Sequence, residues 1–137
     1  MFSFDDEMFE VFLEELTRRL DQYRKGLALL HSNPTEALEE FHQVFHTLKS
    51  DSSYFTLEEF SQFMRRACDL TRNIPQITVD EKLRFFLQET ESYLSQYLDW
   101  LPKHSGEKPI LGDLENRLAE LEAAQGKSQV PGSEAKE

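Results

Sequence analysis

Apolar residues recur every three or four positions along most of this 137-residue chain, and nowhere do they alternate with polar residues as in a half-buried β-strand. The first series consists of Phe9, Phe12, Leu13, Leu16, Leu20, Tyr23, Leu27 and Leu30. This spacing predicts one long helix over about residues 5–30, with acidic residues in its first turn. The periodicity of the whole chain predicts an all-α fold.

Helix-start motifs divide the rest of the chain. Asn33 precedes Pro34 and Glu36, which predicts an N-cap, a proline at the first helical position and a capping box. The segments Thr56–Glu59 and Thr78–Glu81 predict two further capping boxes, at the starts of the third and fourth helices. Short connections between amphipathic helices predict an antiparallel four-helix bundle.

A last apolar series predicts an additional short fifth helix, and it consists of Ile110, Leu111, Leu114, Leu118 and Leu121. From Gln125 onwards the sequence has no apolar period. We therefore expect residues 1–124 to form one helical domain, and residues 125–137 to form a disordered tail or linker.

The charge of the chain argues against several classes of partner. It carries 26 acidic and 15 basic side chains, a formal net charge of −11, whereas nucleic acids and anionic membranes attract clustered Lys and Arg. No apolar run has the length of a membrane span, and the acidic N-terminus does not resemble a signal peptide, so we expect a cytoplasmic protein. The single cysteine, Cys68, excludes an intrachain disulfide and a cysteine-rich zinc site.

One face of the second predicted helix carries the candidate chemistry. At about 100° per residue, His46 lies about 140° from the centre of the apolar face and is predicted to point to solvent. His42 lies one turn before it, and Lys49 follows three residues after it. Ser50 and Ser53 lie within about 40° of the same line, and such small side chains leave the imidazole accessible to another protein.

Other interpretations of this face are an ordinary solvated surface or a metal site. His42 and His46 have the spacing of two zinc ligands, but two imidazoles with Glu39 in line are too few, and we expect no metal. The spacing of Ser and Cys residues gives no support to a catalytic triad. A homodimeric scaffold that uses Tyr93 and Trp100 is a further alternative.

The segment Phe45–Phe55, with the sequence FHTLKSDSSYF, resembles the phosphoacceptor motif of histidine-phosphotransfer (HPt) domains, His-x-Leu/Ile-Lys-Gly followed by small residues and an aromatic. More narrowly, roughly residues 4–122 are similar to the N-terminal phosphotransfer domain of CheA-type chemotaxis kinases. The resemblance implies a monomeric phosphocarrier without catalysis or a cofactor of its own. A CheA-type kinase domain, with its own ATP and Mg²⁺, phosphorylates the histidine, and an aspartate of a CheY-like response regulator then takes the phosphoryl group.

The resemblance also assigns roles to residues of the motif. His46 matches the phosphoacceptor, and Lys49 matches the lysine that steadies the phosphate. Ser50 and Ser53 stand at positions of small residues beside the acceptor. With His42, these residues are the predicted contacts of phosphate or partner on the second helix.

The third helix departs from the pattern of the family. The CheA-type domains carry there a glutamate that orients the acceptor imidazole, and its position falls at Cys68, or at Asp69 after a slip of one residue. Arg65 occupies the position of a nearby family histidine, and its guanidinium is suited to pairing with a phosphate. The missing glutamate leaves an alternative open: a binding module of HPt fold that docks a receiver or kinase domain without phosphotransfer.

Overall fold

Five α-helices make up most of the chain that the structure, a computed structural model, describes. Residues 6–55, 57–103 and 108–134 are described, with side chains for 7–55, 57–103 and 108–125. The helices within these ranges are α1 (Asp6–Leu29), α2 (Pro34–Tyr54), α3 (Glu58–Leu70), α4 (Glu81–Trp100) and α5 (Gly112–Glu134). A 3₁₀ turn, Ile74–Gln76, lies between α3 and α4. No strand occurs in these ranges, and the all-α prediction is confirmed.

The helices α1 to α4 form an antiparallel bundle. The helix α2 packs against both α1 and α3, α1 packs against α4, and α5 lies against α3 and α4. Aromatic rings join α3 to α4: the ring centroids of Phe60 and Tyr97 lie 4.3 Å apart, and those of Phe63 and Tyr93 lie 5.7 Å apart. The predicted bundle with an added helix is confirmed. Tyr93 is buried in this layer, so it is not available to the homodimer surface considered above.

The start of α2 is capped as the sequence predicts. The Asn33 side-chain oxygen accepts the backbone N–H of Glu36 at 3.2 Å, and the Asn33 amide donates to the Glu36 carboxylate at 2.9 Å. Pro34 is the first helical residue. These bonds satisfy N-terminal groups that have no partner within the helix, and they fix where α2 begins.

The start of α4 differs from the prediction. Asp80 is the N-cap, and its carboxylate accepts the backbone N–H of Leu83 at 2.9 Å. The capping box predicted from Thr78 is wrong, because the charged oxygen of Asp80 is the stronger acceptor at the positive end of the helix dipole. At the start of α3, Thr56 lies outside the described residues, and Leu57 occupies the N-cap position without a side-chain bond.

The fifth helix is longer than the short one predicted. Its backbone continues past Gln125 to Glu134. The side-chain amide of Gln125 donates to the carbonyl oxygen of Leu70, at the end of α3, at 2.9 Å. This bond holds α5 to the bundle at the point where the sequence predicts the tail to begin. The division into a domain over residues 1–124 and a tail or linker over 125–137 stays a prediction.

The contact between α1 and α2 decides which face of α2 meets solvent. Phe41 is fully buried, and its ring lies 4.7 Å from that of Tyr23. A Cβ atom on Gly26 would lie 2.8 Å from Cε1 of Phe41, so the ring occupies the space that a side chain would need. Six apolar residues of α2 are buried on the side of this contact: Ala37, Leu38, Phe41, Val44, Phe45 and Leu48. The opposite face of α2 is therefore presented outward.

Candidate functional site

His46 lies on the outward face of α2, and its side chain is exposed, as the helical period predicts. Ser50 and Ser53 are also exposed, and Lys49 is half-buried. Within the described part of the chain, no residue is hydrogen bonded to the His46 ring. Both ring nitrogens are accordingly accessible to a partner protein.

His42, one turn before His46, is held against the end of α3. Its Nδ1 atom lies 3.0 Å from Oγ1 of Thr71 and 4.0 Å from Sγ of Cys68. Thr71 is fully buried, whereas His42 is half-buried. A single polar contact therefore ties the middle of α2 to the residue that follows α3.

Positive groups surround the two histidines. The pKa of His42 is lowered, first by burial and then by the positive charges of His46 and Arg72, with a smaller effect of Lys49. Among the described side chains Lys49 has no carboxylate partner, whereas Arg72 pairs with Asp69. We call His42, His46, Lys49 and Arg72 the histidine face. In a chain of net charge −11, the Lys49 ammonium gives this face a positive group that is complementary to a phosphate dianion.

The register of α2 against α3 determines what faces each histidine. The hydroxyl of Ser61 donates to the carbonyl oxygen of Lys49 at 3.2 Å, and two turns earlier on α2 His42 meets Cys68. Since the helices are antiparallel, Cys68 lies opposite His42 rather than opposite His46. The residue counted as equivalent to the orienting glutamate is thus placed one turn away from the predicted acceptor.

Neither predicted orienting group contacts His46 in the described structure. Cys68 is buried, and burial is the main cause that raises the pKa of its thiol, so the group is uncharged at neutral pH. Asp69 is exposed and its carboxylate is bound by Arg72. The structure brings Cys68 to His42 and Asp69 to Arg72.

Arg65 lies one turn before Cys68 on α3. Because α3 runs antiparallel to α2, this places Arg65 at the level of His46, one turn after His42. Its side chain is exposed, and no carboxylate within the described ranges pairs with it. The neighbouring Arg66, by contrast, binds Glu122 of α5 at 2.8 Å. The role of Arg65 as a partner of phosphate stays a prediction.

An apolar cleft begins beside Ser50. It has a volume of about 660 Å³ between the first turns of α1 and the end of α2, and its apolar lining consists of Met8, Val11, Phe12, Tyr54 and Phe55. Val11 and Tyr54 are 59% and 61% exposed, which is unusual for large apolar side chains. The cleft thus offers apolar contact area close to His46, with acidic residues at its rim.

Asp51 lies in this rim rather than on the histidine face. It is half-buried, and its pKa is raised by burial and by the nearby charge of Glu15, while Arg19 acts in the opposite direction. Its carboxylate therefore faces α1. The negative charge that follows the motif lysine is directed away from His46.

Thr71 and Arg72 do not stand out in the sequence, although both belong to the site. They follow Leu70, the last residue of α3, and carry no motif. The only signal that points to them is the register of two antiparallel helices joined by a short connection. That register requires the tertiary structure.

Neither a metal site nor a membrane-spanning helix is found within the described ranges. They contain no group of three or more His, Cys, Asp or Glu side chains placed to hold a metal ion. None of their helices combines the length and the apolar character that crossing a membrane requires.

Comparison with known proteins adds one finding. A family model described as the Hpt domain matches residues 7–124, which include the histidine face. No curated protein and no solved structure shows a significant match to the chain.

Proposed function

The chain belongs to the Hpt domain family, whose members take part in histidine phosphotransfer, and on this premise we propose that His46 is its phosphoacceptor. In this proposal a histidine kinase phosphorylates His46, and an aspartate of a response regulator then removes the phosphoryl group. The observation that carries the proposal is the exposed imidazole of His46, with the Lys49 ammonium on the same face of an acidic chain.

The chemistry requires little of this chain beyond positioning and charge. A ring nitrogen of neutral His46 attacks the terminal phosphorus of ATP bound by the partner kinase, so that an N–P bond forms while the P–O bond to ADP breaks. Lys49 and Arg65 are suited to bind the oxygens of the transferred group. In the second step an aspartate oxygen attacks the same phosphorus, and the imidazole leaves.

The apolar cleft supports docking of the partner domains. It starts at Ser50, one helical turn beyond His46, and exposes Met8, Val11 and Tyr54. A receiver domain that covers these side chains brings its aspartate towards His46 and meets the acidic residues Glu7, Glu15 and Asp51 that also line the cleft. In this proposal the apolar cleft provides the affinity for the partner domain, and the neighbouring histidine face binds the phosphate.

We further propose a CheA-type kinase domain as the donor and a CheY-like receiver as the acceptor, in the cytoplasm. The support is the sequence of Phe45–Phe55 and the similarity over roughly residues 4–122. The test compares phosphorylation of the chain by CheA-type kinase cores with that by kinases of other classes. Equal rates with both would contradict this assignment and leave the role of His46 intact.

The role of His46 is tested with ATP and a CheA-type kinase core. We expect acid-labile, base-stable labelling of the wild-type chain and its loss in His46→Gln. His31→Gln is the matched control, because His31 is exposed but lies in the connection before α2. Equal labelling of His46→Gln and wild type would show that His46 is not the acceptor.

A second candidate function is a binding module that docks a receiver or kinase domain without phosphotransfer. It is favoured by the absence, within the described residues, of any carboxylate in contact with His46, since Asp69 is bound to Arg72. Receiver binding that survives His46→Gln, together with a wild-type chain that is never labelled, would establish this function instead.

A further inference from the structure

The tautomer of His42 is fixed by its surroundings. Thr71 has one hydroxyl proton, and the carbonyl oxygens of Ala67 and Cys68 lie 3.0 Å and 3.2 Å from its oxygen to receive it. Towards His42, 3.0 Å away, the hydroxyl oxygen keeps a lone pair for the Nδ1 hydrogen, and the backbone of Cys68 is a second hydrogen-bond partner of the ring. The neutral ring carries its proton on Nδ1, and its lone pair is on Nε2.

This arrangement makes His42 a candidate nucleophile. Burial and neighbouring positive charges lower its pKa, so the ring is neutral at physiological pH. A neutral imidazole with a fixed Nδ1 proton presents a single basic nitrogen, which is the form in which histidine attacks an electrophile. No such bond fixes the ring of His46 or His31 in the described part of the chain.

We propose that Nε2 of His42 is a second phosphoryl acceptor, one helical turn from His46 in the same site. The inference rests on the proposed function, because the same partner domains deliver the phosphoryl group. The Nε2 lone pair attacks phosphorus and forms an N–P bond, while the bond from phosphorus to the leaving group breaks. When the donor is an aspartyl phosphate, the leaving group is the aspartate carboxylate. The His42 ring keeps its proton on Nδ1 throughout this step.

The charges around His42 favour the phosphorylated form. The titratable and charged groups that face it from α2 and from the end of α3 are His46, Lys49, Cys68, Asp69 and Arg72. Lys49 and Arg72 repel a protonated imidazole but attract a phosphate dianion. Asp69 is the one carboxylate in this group, and Arg72 binds it. Burial is the main cause that keeps His42 neutral before transfer, and the cations that add to this effect attract the phosphate after it.

The inference is tested with phosphoramidate, which phosphorylates imidazole without an enzyme and releases ammonia. Wild type, His42→Gln, His46→Gln and the double variant are treated in parallel. Tandem mass spectrometry assigns the residue, and phosphorus–proton correlation NMR assigns the ring nitrogen. His31 is the internal reference for an exposed histidine outside the site.

In His46→Gln we expect phosphate on Nε2 of His42, formed faster than on His31, and its loss in the double variant. Thr71→Val is expected to slow labelling of His42 several-fold and Thr71→Ser to restore it, with circular dichroism to verify folding. If His46 is labelled but His42 is labelled no faster than His31, the inference is overturned and the proposed function stands. If neither histidine exceeds His31, the inference is overturned and the proposed function is weakened as well.

Discussion

The Nδ1 atom of His42 and the Oγ1 atom of Thr71 lie 3.0 Å apart and join the middle of α2 to the end of α3. The same hydroxyl lies 3.0 Å from the carbonyl oxygen of Ala67, so one buried side chain serves both helices. This contact lies on the side of α2 that carries His46. It holds His42 in place through Thr71, a residue that lies outside the sequence motif.

Removal of the Thr71 hydroxyl is expected to destabilise the fold. Thr71→Val keeps the shape of the side chain but removes the hydroxyl that bonds the His42 ring and the carbonyl oxygens at the end of α3, which costs about 1–2 kcal/mol of unfolding free energy. Urea denaturation measures this loss. Thr71→Ser retains the hydroxyl and is expected to lose less, and equal losses in the two variants would show that the hydrogen bond does not matter.

The stability of the protein is expected to depend on pH through His42. Its pKa is lowered in the folded state, chiefly by burial, whereas in the unfolded chain it returns to about 6.5. Below about pH 6.5 the unfolded state therefore binds a proton that the folded state takes up less readily, and stability falls as pH falls. Between about pH 7.5 and about pH 5.5 the wild type should lose more unfolding free energy than His42→Gln.

Urea unfolding across this pH range measures the difference. His31→Gln controls for the loss of an imidazole at an exposed position. Parallel stability profiles of the wild type and His42→Gln would contradict the assigned role of burial.

Substitution of Gly26 by alanine is expected to weaken the contact between α1 and α2. The new Cβ atom would lie 2.8 Å from Cε1 of Phe41, a fully buried ring packed against Tyr23. Overpacking of this kind costs about 1–3 kcal/mol, which exceeds the gain of about 1 kcal/mol in helix propensity.

Thermal or urea denaturation measures the effect of Gly26→Ala. The matched control is Gly112→Ala, where the nearest atom of Ile110 lies 3.9 Å from the new Cβ and no clash arises. We expect the control to be at least as stable as the wild type. If Gly26→Ala is more stable than the wild type, α1 and α2 can move apart to accept the new methyl group, and the predicted overpacking is contradicted.

A charge in the apolar cleft is expected to weaken binding of a receiver domain without unfolding the chain. Val11 is 59% exposed, so Val11→Asp removes little from the core, but it places an unpaired carboxylate against the covering partner. The dissociation constant is expected to rise by roughly tenfold or more, as measured by titration calorimetry. Ala28→Asp adds the same charge at an exposed position of α1 outside the cleft. Equal effects of the two substitutions would exclude the cleft as the docking surface.

Local signals predicted most of the fold. The periodic apolar residues identify the face of α2 that is buried, and Asn33 with Glu36 identifies where this helix begins. The start of α4 was mispredicted because Thr78 and Asp80 are both capping residues, and the sequence does not rank them. These signals lie within one helix or at its ends, and they specify only the position and the buried face of that helix.

The arrangement around the histidines depends on the register between two helices, which local patterns do not encode. Exposure of His46 follows from the period of α2 alone and is confirmed. That Cys68 meets His42, and that the Thr71 hydroxyl lies within hydrogen-bond distance of its Nδ1 atom, follows from how α3 is placed after the turn at Phe55. The contact of α5 with the end of α3, from Gln125 to the carbonyl oxygen of Leu70, likewise belongs to the tertiary structure.

The close fit of Phe41 into the space beside Gly26 has a consequence for the speed of signalling. Because α2 is already fixed against α1, a partner that binds at His46 orders side chains but no backbone, and the entropy lost on binding is small. A modest contact area is then sufficient for a short-lived complex. Under the proposed function, fast dissociation of such a complex lets His46 meet its donor and its acceptor in turn.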